Sequence, residues 1–138
     1  MSSSIPTTSK GAASAAPFAL CALAGLAGAV GVALAAAAAH KVDSPALATA
    51  ATMVMIHAGA VLAIAAVALR SENSRRWTSV GAVMFAAVTL FGSDIALNTF
   101  AGHHLFPMAA PTGGSLLIAS WLAVAVAAAL EWRGRQNA

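Results

Sequence analysis

Polar and apolar residues are segregated along this chain into four long apolar runs separated by short polar segments. The runs cover residues 18–39, 46–69, 77–100 and 113–132. Each run is at least 20 residues long, and about 20 helical residues cross the ~30 Å hydrocarbon core of a bilayer. The pattern predicts an all-α fold, an integral membrane up-down four-helix bundle within residues 17–133. We expect residues 1–16, rich in serine, threonine and alanine, to be a disordered N-terminal tail, and residues 134–138 to be a C-terminal tail.

Several helix starts carry a local signal. Ser44 followed by Pro45 supplies an N-cap and a proline at the first helical position of helix 2. Ser74 is a candidate cap for helix 3, and Thr112, after Pro111, is a candidate cap for helix 4. Because the connections are short, sequential helices are expected to be antiparallel neighbours.

Composition agrees with a membrane location. Hydrophobic residues make up 60% of the 138 and charged residues only 8%, whereas soluble domains carry about 25% charged residues. The lipid bilayer is therefore the expected partner. The net charge of +3 does not indicate nucleic-acid binding, because the basic residues lie at helix ends.

A single cysteine, Cys21, excludes an intramolecular disulfide.

The distribution of basic residues predicts the orientation. With four spans, one side of the membrane carries Lys10, Arg70, Arg75, Arg76, Arg133 and Arg135, and the other carries only Lys41. Lysine and arginine accumulate on the cytoplasmic side, so both termini are expected there. Trp77 and Trp132 fall at the same side, where interfacial tryptophans anchor helices. The first run exceeds the signal-peptide core of about 7–15 residues, so we expect it to be retained.

Four polar residues in or beside the runs form a candidate intramembrane network. Asp94 lies roughly 9 Å below the outer surface and Asn98 shares its helix face, while His57 lies roughly 16 Å deep on helix 2. His40 ends helix 1. A carboxylate facing lipid would be unsatisfied, so we expect Asp94 to face the bundle interior, with His57 or His40 as its hydrogen-bond partner.

Three interpretations of this network are open. It can be a structural set of hydrogen bonds that ties helices together, or a proton or ion path. The third interpretation is metal or haem ligation by histidines; a membrane haem would need two histidines at matching depth, and His57 has no such partner. No nucleophile-base pair, phosphate loop or metal-ligand spacing occurs in the sequence. We therefore expect no enzymatic activity, no metal and no cofactor.

The segment before helix 4 is a candidate outer cap. It is defined by His103, His104, Pro107, Pro111, Gly113 and Gly114. The two prolines restrict the backbone, and the two glycines let the start of helix 4 approach a neighbouring helix. Leu105, Phe106 and Met108 are too apolar for water, so we expect them to enter the membrane interface.

Four stretches of this sequence resemble a family of small bacterial membrane proteins, domain of unknown function 423. They are "AAAAAH" ending helix 1, "MIHA" in helix 2, "LFGSD" in helix 3 and "LFPMAAPTGGSLLIASWLAVA" leading through helix 4. The likeness spans roughly residues 19–130 and implies four transmembrane helices in a bacterial inner membrane, but no activity.

The expected function is a non-enzymatic scaffold or accessory role in the membrane. Stripes of small residues on helices 1 and 2 suit compact packing within the chain, homo-oligomer formation or docking to a larger membrane complex. The alternative is a proton-linked small channel or transporter that uses His57 and Asp94.

Overall fold

The computed structural model describes residues 15–137, which form four α-helices. They are α1 (Ala16–His40), α2 (Pro45–Ala68), α3 (Ser74–Ala101) and α4 (Ala109–Gln136). All four are long and apolar enough to cross a membrane, and the described residues contain no strand. The all-α, four-helix membrane fold predicted from the sequence is confirmed. The predicted N-terminal tail falls almost wholly outside the described residues.

The helix ends match the sequence-based prediction at α2 and differ at α3 and α4. Ser44 caps α2, because its Oγ accepts the Leu47 N–H at 3.2 Å. The predicted caps Ser74 and Thr112 are wrong, since each lies inside its helix. Residues 134–136, expected in the C-terminal tail, continue α4.

Helix α4 begins four residues before the apolar run that predicted it. Its N-cap is Met108, a non-glycine residue with a left-handed φ of 69°. The Thr112 N–H already donates to the Met108 carbonyl at 2.9 Å, as in a regular helix. Pro111 fits this first turn because its missing N–H would have no partner there.

The helices pack around α2 and α3, which bury the largest shares of their spans. Helix α1 packs along α2 and also meets α3, whereas α4 packs closely on α3 only. Within residues 15–137, the α4 backbone has no close contact with α1 or α2. Side chains between α2 and α3, including Val61, Met84 and Val88, are fully buried and form the centre of the core.

Gly31 brings helices α1 and α2 into close contact. A Cβ added to Gly31 of α1 would lie 2.6 Å from Met55 Cγ and 3.2 Å from the Met55 backbone nitrogen of α2. Such contacts are how small residues pack membrane helices. Gly25 and Gly59, in contrast, have open space at the Cβ position. Only part of the small-residue pattern therefore packs inside the chain.

The antiparallel order gives the molecule two distinct ends. The loop end carries the α1–α2 connection (residues 41–44) and the α3–α4 connection (residues 102–108). The terminal end carries the start of α1, the α2–α3 connection (residues 69–73) and the end of α4.

Candidate functional site

Asp94 is a buried carboxylate near the loop end of α3. Its side chain is 1% exposed. Oδ1 accepts the backbone N–H of Leu105 at 2.8 Å, and Oδ2 lies 2.9 Å from His104 Nδ1. Asp94 therefore fastens the α3–α4 connection onto α3.

A left-handed glycine makes this contact possible. Gly102 has φ 74° and ends α3, and its N–H donates to the Asn98 carbonyl at 3.0 Å. Glycine adopts this conformation without the steric penalty of other residues. The chain turns back at once, so that His104 and Leu105 return to the level of Asp94.

The structure does not bring the predicted partners to Asp94. His57 is engaged elsewhere, and His40 is exposed at the end of α1, with no hydrogen bond from its ring among the described residues. Asn98 is also exposed and its side chain makes no hydrogen bond there. The predicted pairing of Asp94 with His57 or His40 is wrong, because the loop supplies donors that lie closer than any other helix.

His57 forms a second, separate site at mid-depth in the bundle. The ring is 5% exposed. Nδ1 lies 2.7 Å from the Met53 carbonyl oxygen of its own helix, and Nε2 lies 3.2 Å from Trp121 Nε1 on α4. The two rings also meet edge to face, with centroids 6.0 Å apart.

These partners fit one tautomer of the His57 ring. The Met53 carbonyl oxygen only accepts, which suits a proton on Nδ1, and the Trp121 indole N–H only donates, which suits a lone pair on Nε2. Both ring nitrogens are satisfied in this tautomer. Because the α2 and α4 backbones are not in close contact, this pair is a side-chain bridge between those two helices.

The candidate outer cap is divided between loop and helix. His103 and Pro107 are exposed in the connection, and the His103 ring lies 3.3 Å from the His104 carbonyl oxygen. Pro111, Gly113 and Gly114 belong to the first turns of α4. Leu105, Phe106 and Met108 are 47%, 45% and 69% exposed, as a segment facing the membrane interface would be, and their insertion stays a prediction.

Gly113 is the member of the cap set with the closest packing. A Cβ there would lie 2.8 Å from the Phe91 nitrogen and 2.9 Å from the Ala87 carbonyl oxygen. Gly114, one residue on, has only Phe91 Cδ2 at 4.0 Å. The α3–α4 contact therefore depends on Gly113. It lies near the hydrogen bonds that join Asp94 to His104 and Leu105, which are called the Asp94 anchor below.

Sequence reasoning missed a third polar contact, at the terminal end. Ser71 Oγ–H donates to Glu131 Oε1 at 2.9 Å, linking the α2–α3 connection to α4. Arg135 Nη2 lies 3.6 Å from the same oxygen. The available signal was an acidic residue near the end of α4, four positions before an arginine. The sequence contains no comparable signal for the hydrogen bond of Trp121, because a tryptophan within an apolar run is indistinguishable from the other apolar residues of a span.

The described residues contain no group of three or more histidine, cysteine, aspartate or glutamate side chains able to hold a metal ion. Their buried polar contacts join helices and loops to one another. Four apolar helices fastened in this way define a multi-pass membrane protein of the all-α class.

The chain belongs to the family described as "Protein of unknown function (DUF423)", whose profile matches residues 27–114. This is more than half of the chain, although narrower than the likeness over residues 19–130 described above. The match includes the Asp94 anchor, His57 and Gly113, and it ends before Trp121 and Glu131. Comparisons with curated proteins and with solved structures return no match.

Proposed function

We propose that this protein is a non-enzymatic scaffold or accessory component of the bacterial inner membrane. The proposal rests on one observation: the polar groups inside the spans form hydrogen bonds within the chain. Both oxygens of Asp94 and both nitrogens of His57 are engaged in hydrogen bonds within the chain. Buried polar groups satisfied in this way stabilise one arrangement of helices.

The outward surface supports the same proposal. Large apolar side chains are exposed along all four helices, including Leu26, Val32, Ile56, Val83, Ile118 and Leu122. Such surfaces accommodate lipid or another transmembrane helix. Docking to a larger membrane complex and formation of a homo-oligomer would both use them.

A proton-linked channel or transporter is the second candidate. One observation favours it: His104 is 58% exposed and contacts the buried Asp94, so an exposed titratable side chain is joined to a carboxylate inside the span. Intramembrane acidic residues and histidines are frequent proton relays. The route from Asp94 to His57 would have to open, because the two residues share no hydrogen-bond partner.

Purification in mild detergent after cross-linking in membranes tests the proposal. The accessory role predicts a discrete complex containing other membrane proteins, and reconstituted protein without a pH-dependent ion flux. A lone homodimer that conducts protons, with the flux abolished by Asp94→Asn and stability preserved, would establish the transporter instead. Asn98→Ala is the matched control, because it adds no charge and alters a neighbouring polar position that makes no side-chain hydrogen bond.

A further inference from the structure

A polar cleft of about 320 Å³ opens at the terminal end, between the α2–α3 connection and the last turns of α4. Its polar walls are formed by Arg70, Glu72 and Asn73 on one side and by Glu131 and Arg135 on the other. None of these residues takes part in the Asp94 or His57 contacts. The cleft therefore requires an explanation of its own.

The two walls are held in register by Glu131. Its side chain is 14% exposed, and Oε1 accepts the Ser71 hydroxyl at 2.9 Å across the cleft. The same oxygen lies 3.6 Å from Arg135 Nη2, one helical turn further along α4. This arrangement fixes the α2–α3 connection against α4 and keeps the Arg135 guanidinium beside the opening.

Arg70 faces the same cleft without a partner. Its side chain is exposed and makes no hydrogen bond or ion pair within the described residues. Arg135 has only the long contact to Glu131 and is 72% exposed. Two guanidinium groups with free donors on opposite walls suit a tetrahedral oxyanion, because arginine binds phosphate oxygens with paired N–H donors.

The terminal end is positive overall, although the cleft lining itself contains two arginines and two glutamates. Glu72 is exposed on the rim and opposes an anion there. Three more arginines, Arg75, Arg76 and Arg133, lie at the same end. Their field outweighs the two glutamates and attracts an anion toward this end of the molecule.

The position of the cleft identifies the source of the anion. Arg70 follows the end of α2 by two residues, and Trp132, next to Glu131, is 65% exposed. An exposed tryptophan at the end of a span marks the depth of the lipid headgroups. Basic pockets between membrane helices at this depth bind anionic headgroups.

We propose that this cleft binds the phosphate of an anionic phospholipid headgroup, with Arg70 and Arg135 as the two donors. The Ser71–Glu131 hydrogen bond positions these donors and does not itself contact the lipid. The proposal is independent of the accessory role, and it requires no particular orientation of the chain in the membrane.

Lipid binding to the purified full-length protein tests this site. Phosphatidylglycerol, phosphatidylcholine and inorganic phosphate are added separately in detergent, and bound molecules are counted by native mass spectrometry. Phosphatidylglycerol should bind most tightly. Arg70→Gln and Arg135→Gln should each weaken its binding by about tenfold, the loss of one charge-assisted contact. Arg133→Gln is the control, since it removes the same charge from α4 outside the cleft lining.

Three results would overturn the proposal. Equal weakening by Arg133→Gln would show attraction to net charge alone. Phosphatidylcholine binding as tightly as phosphatidylglycerol would show that the anionic headgroup is not selected. Inorganic phosphate binding that the lipid does not displace would assign the cleft to a free anion. Thermal unfolding of each variant in detergent verifies that the exposed arginines can be replaced without loss of the fold.

Discussion

At the residue scale, the central fact is that Asp94 lies inside a span and receives all its donors from the chain that follows it. A charged aspartate at the centre of a membrane helix costs about 2.5–3.5 kcal/mol to insert. The donors of Leu105 and His104 offset part of that cost. The carboxylate in turn fixes the α3–α4 connection, so one side chain serves both insertion and loop structure.

Replacing Asp94 should separate hydrogen bonding from charge. Asp94→Asn keeps an oxygen for the Leu105 N–H, so we expect a loss below about 1 kcal/mol in the free energy of unfolding. Asp94→Leu leaves that N–H and His104 unpaired and should cost about 1–3 kcal/mol. Thermal or denaturant unfolding in detergent measures both. Asn98→Leu, on the exposed face, should change little; equal losses in all three variants would contradict the anchor.

If the His57–Trp121 bridge stabilises the protein, replacing Trp121 by an apolar residue should lower the free energy of unfolding. Trp121→Phe retains an aromatic ring but leaves Nε2 of a buried histidine without a donor. We expect a loss of about 1–3 kcal/mol in unfolding free energy. Trp132→Phe is the matched control, because Trp132 is 65% exposed and its loss should remain within about 0.5 kcal/mol. Equal stability of the two variants would show that the bridge contributes nothing.

The burial of Asp94 could be predicted from the sequence, whereas its partners could not. Burial follows from the free energy of a carboxylate in hydrocarbon, which holds for any four-helix arrangement. The partners depend on Gly102 adopting a left-handed φ and on where the chain then returns. A comparison restricted to the depths of residues within the helices makes His57 a candidate hydrogen-bond partner of Asp94. The Gly-His-His sequence directly after the helix was the local signal for a returning loop.

At the element scale, α4 shows how packing determines a helix boundary. Its apolar run predicts a start near Gly113, but the helix begins at Ala109 behind a left-handed Met108. Propensity alone disfavours that conformation for methionine. The early start sets Gly113 against the α3 backbone. Such tertiary contacts are absent from the local sequence pattern.

Substitution of Gly113 tests the α3–α4 contact. Gly113→Ala places a Cβ 2.8–2.9 Å from backbone atoms of α3, which cannot move aside as a side chain can. We expect destabilisation of about 1–3 kcal/mol, measured by unfolding in detergent. Gly59→Ala is the control, because that position has open space and alanine favours a helix by about 0.5–1 kcal/mol. The two variants should therefore shift stability in opposite directions, and a stabilised Gly113→Ala would contradict the close contact.

At the scale of the whole molecule, α4 is attached asymmetrically. It packs closely on α3, while its hydrogen bonds to α2 and to the α2–α3 connection are those of Trp121 and Glu131. The four spans and their antiparallel order could be predicted from run length and loop length. This asymmetry could not, because apolar runs of similar composition do not specify which helices become neighbours.

The orientation of the molecule is a prediction from charge. Arg70, Arg75, Arg76, Arg133 and Arg135 all lie at the terminal end, and Lys41 lies at the loop end. We expect both termini in the cytoplasm. Reporters fused to the C-terminus and to the α1–α2 connection measure this directly. A cytoplasmic reporter should be active only at the C-terminus, and the reverse pattern would overturn the predicted topology.

The Asp94 anchor also has a consequence for biogenesis. Its two donors lie only 10 and 11 residues further along the chain. At about 5–20 residues per second, a ribosome makes that segment within roughly 0.5–2 s. A carboxylate whose partner lay on a distant helix would stay unpaired until that helix had packed against it. Here the donors belong to the segment that is synthesised directly after Asp94. The interval in which the growing chain carries an unpaired acid is thus limited by translation speed.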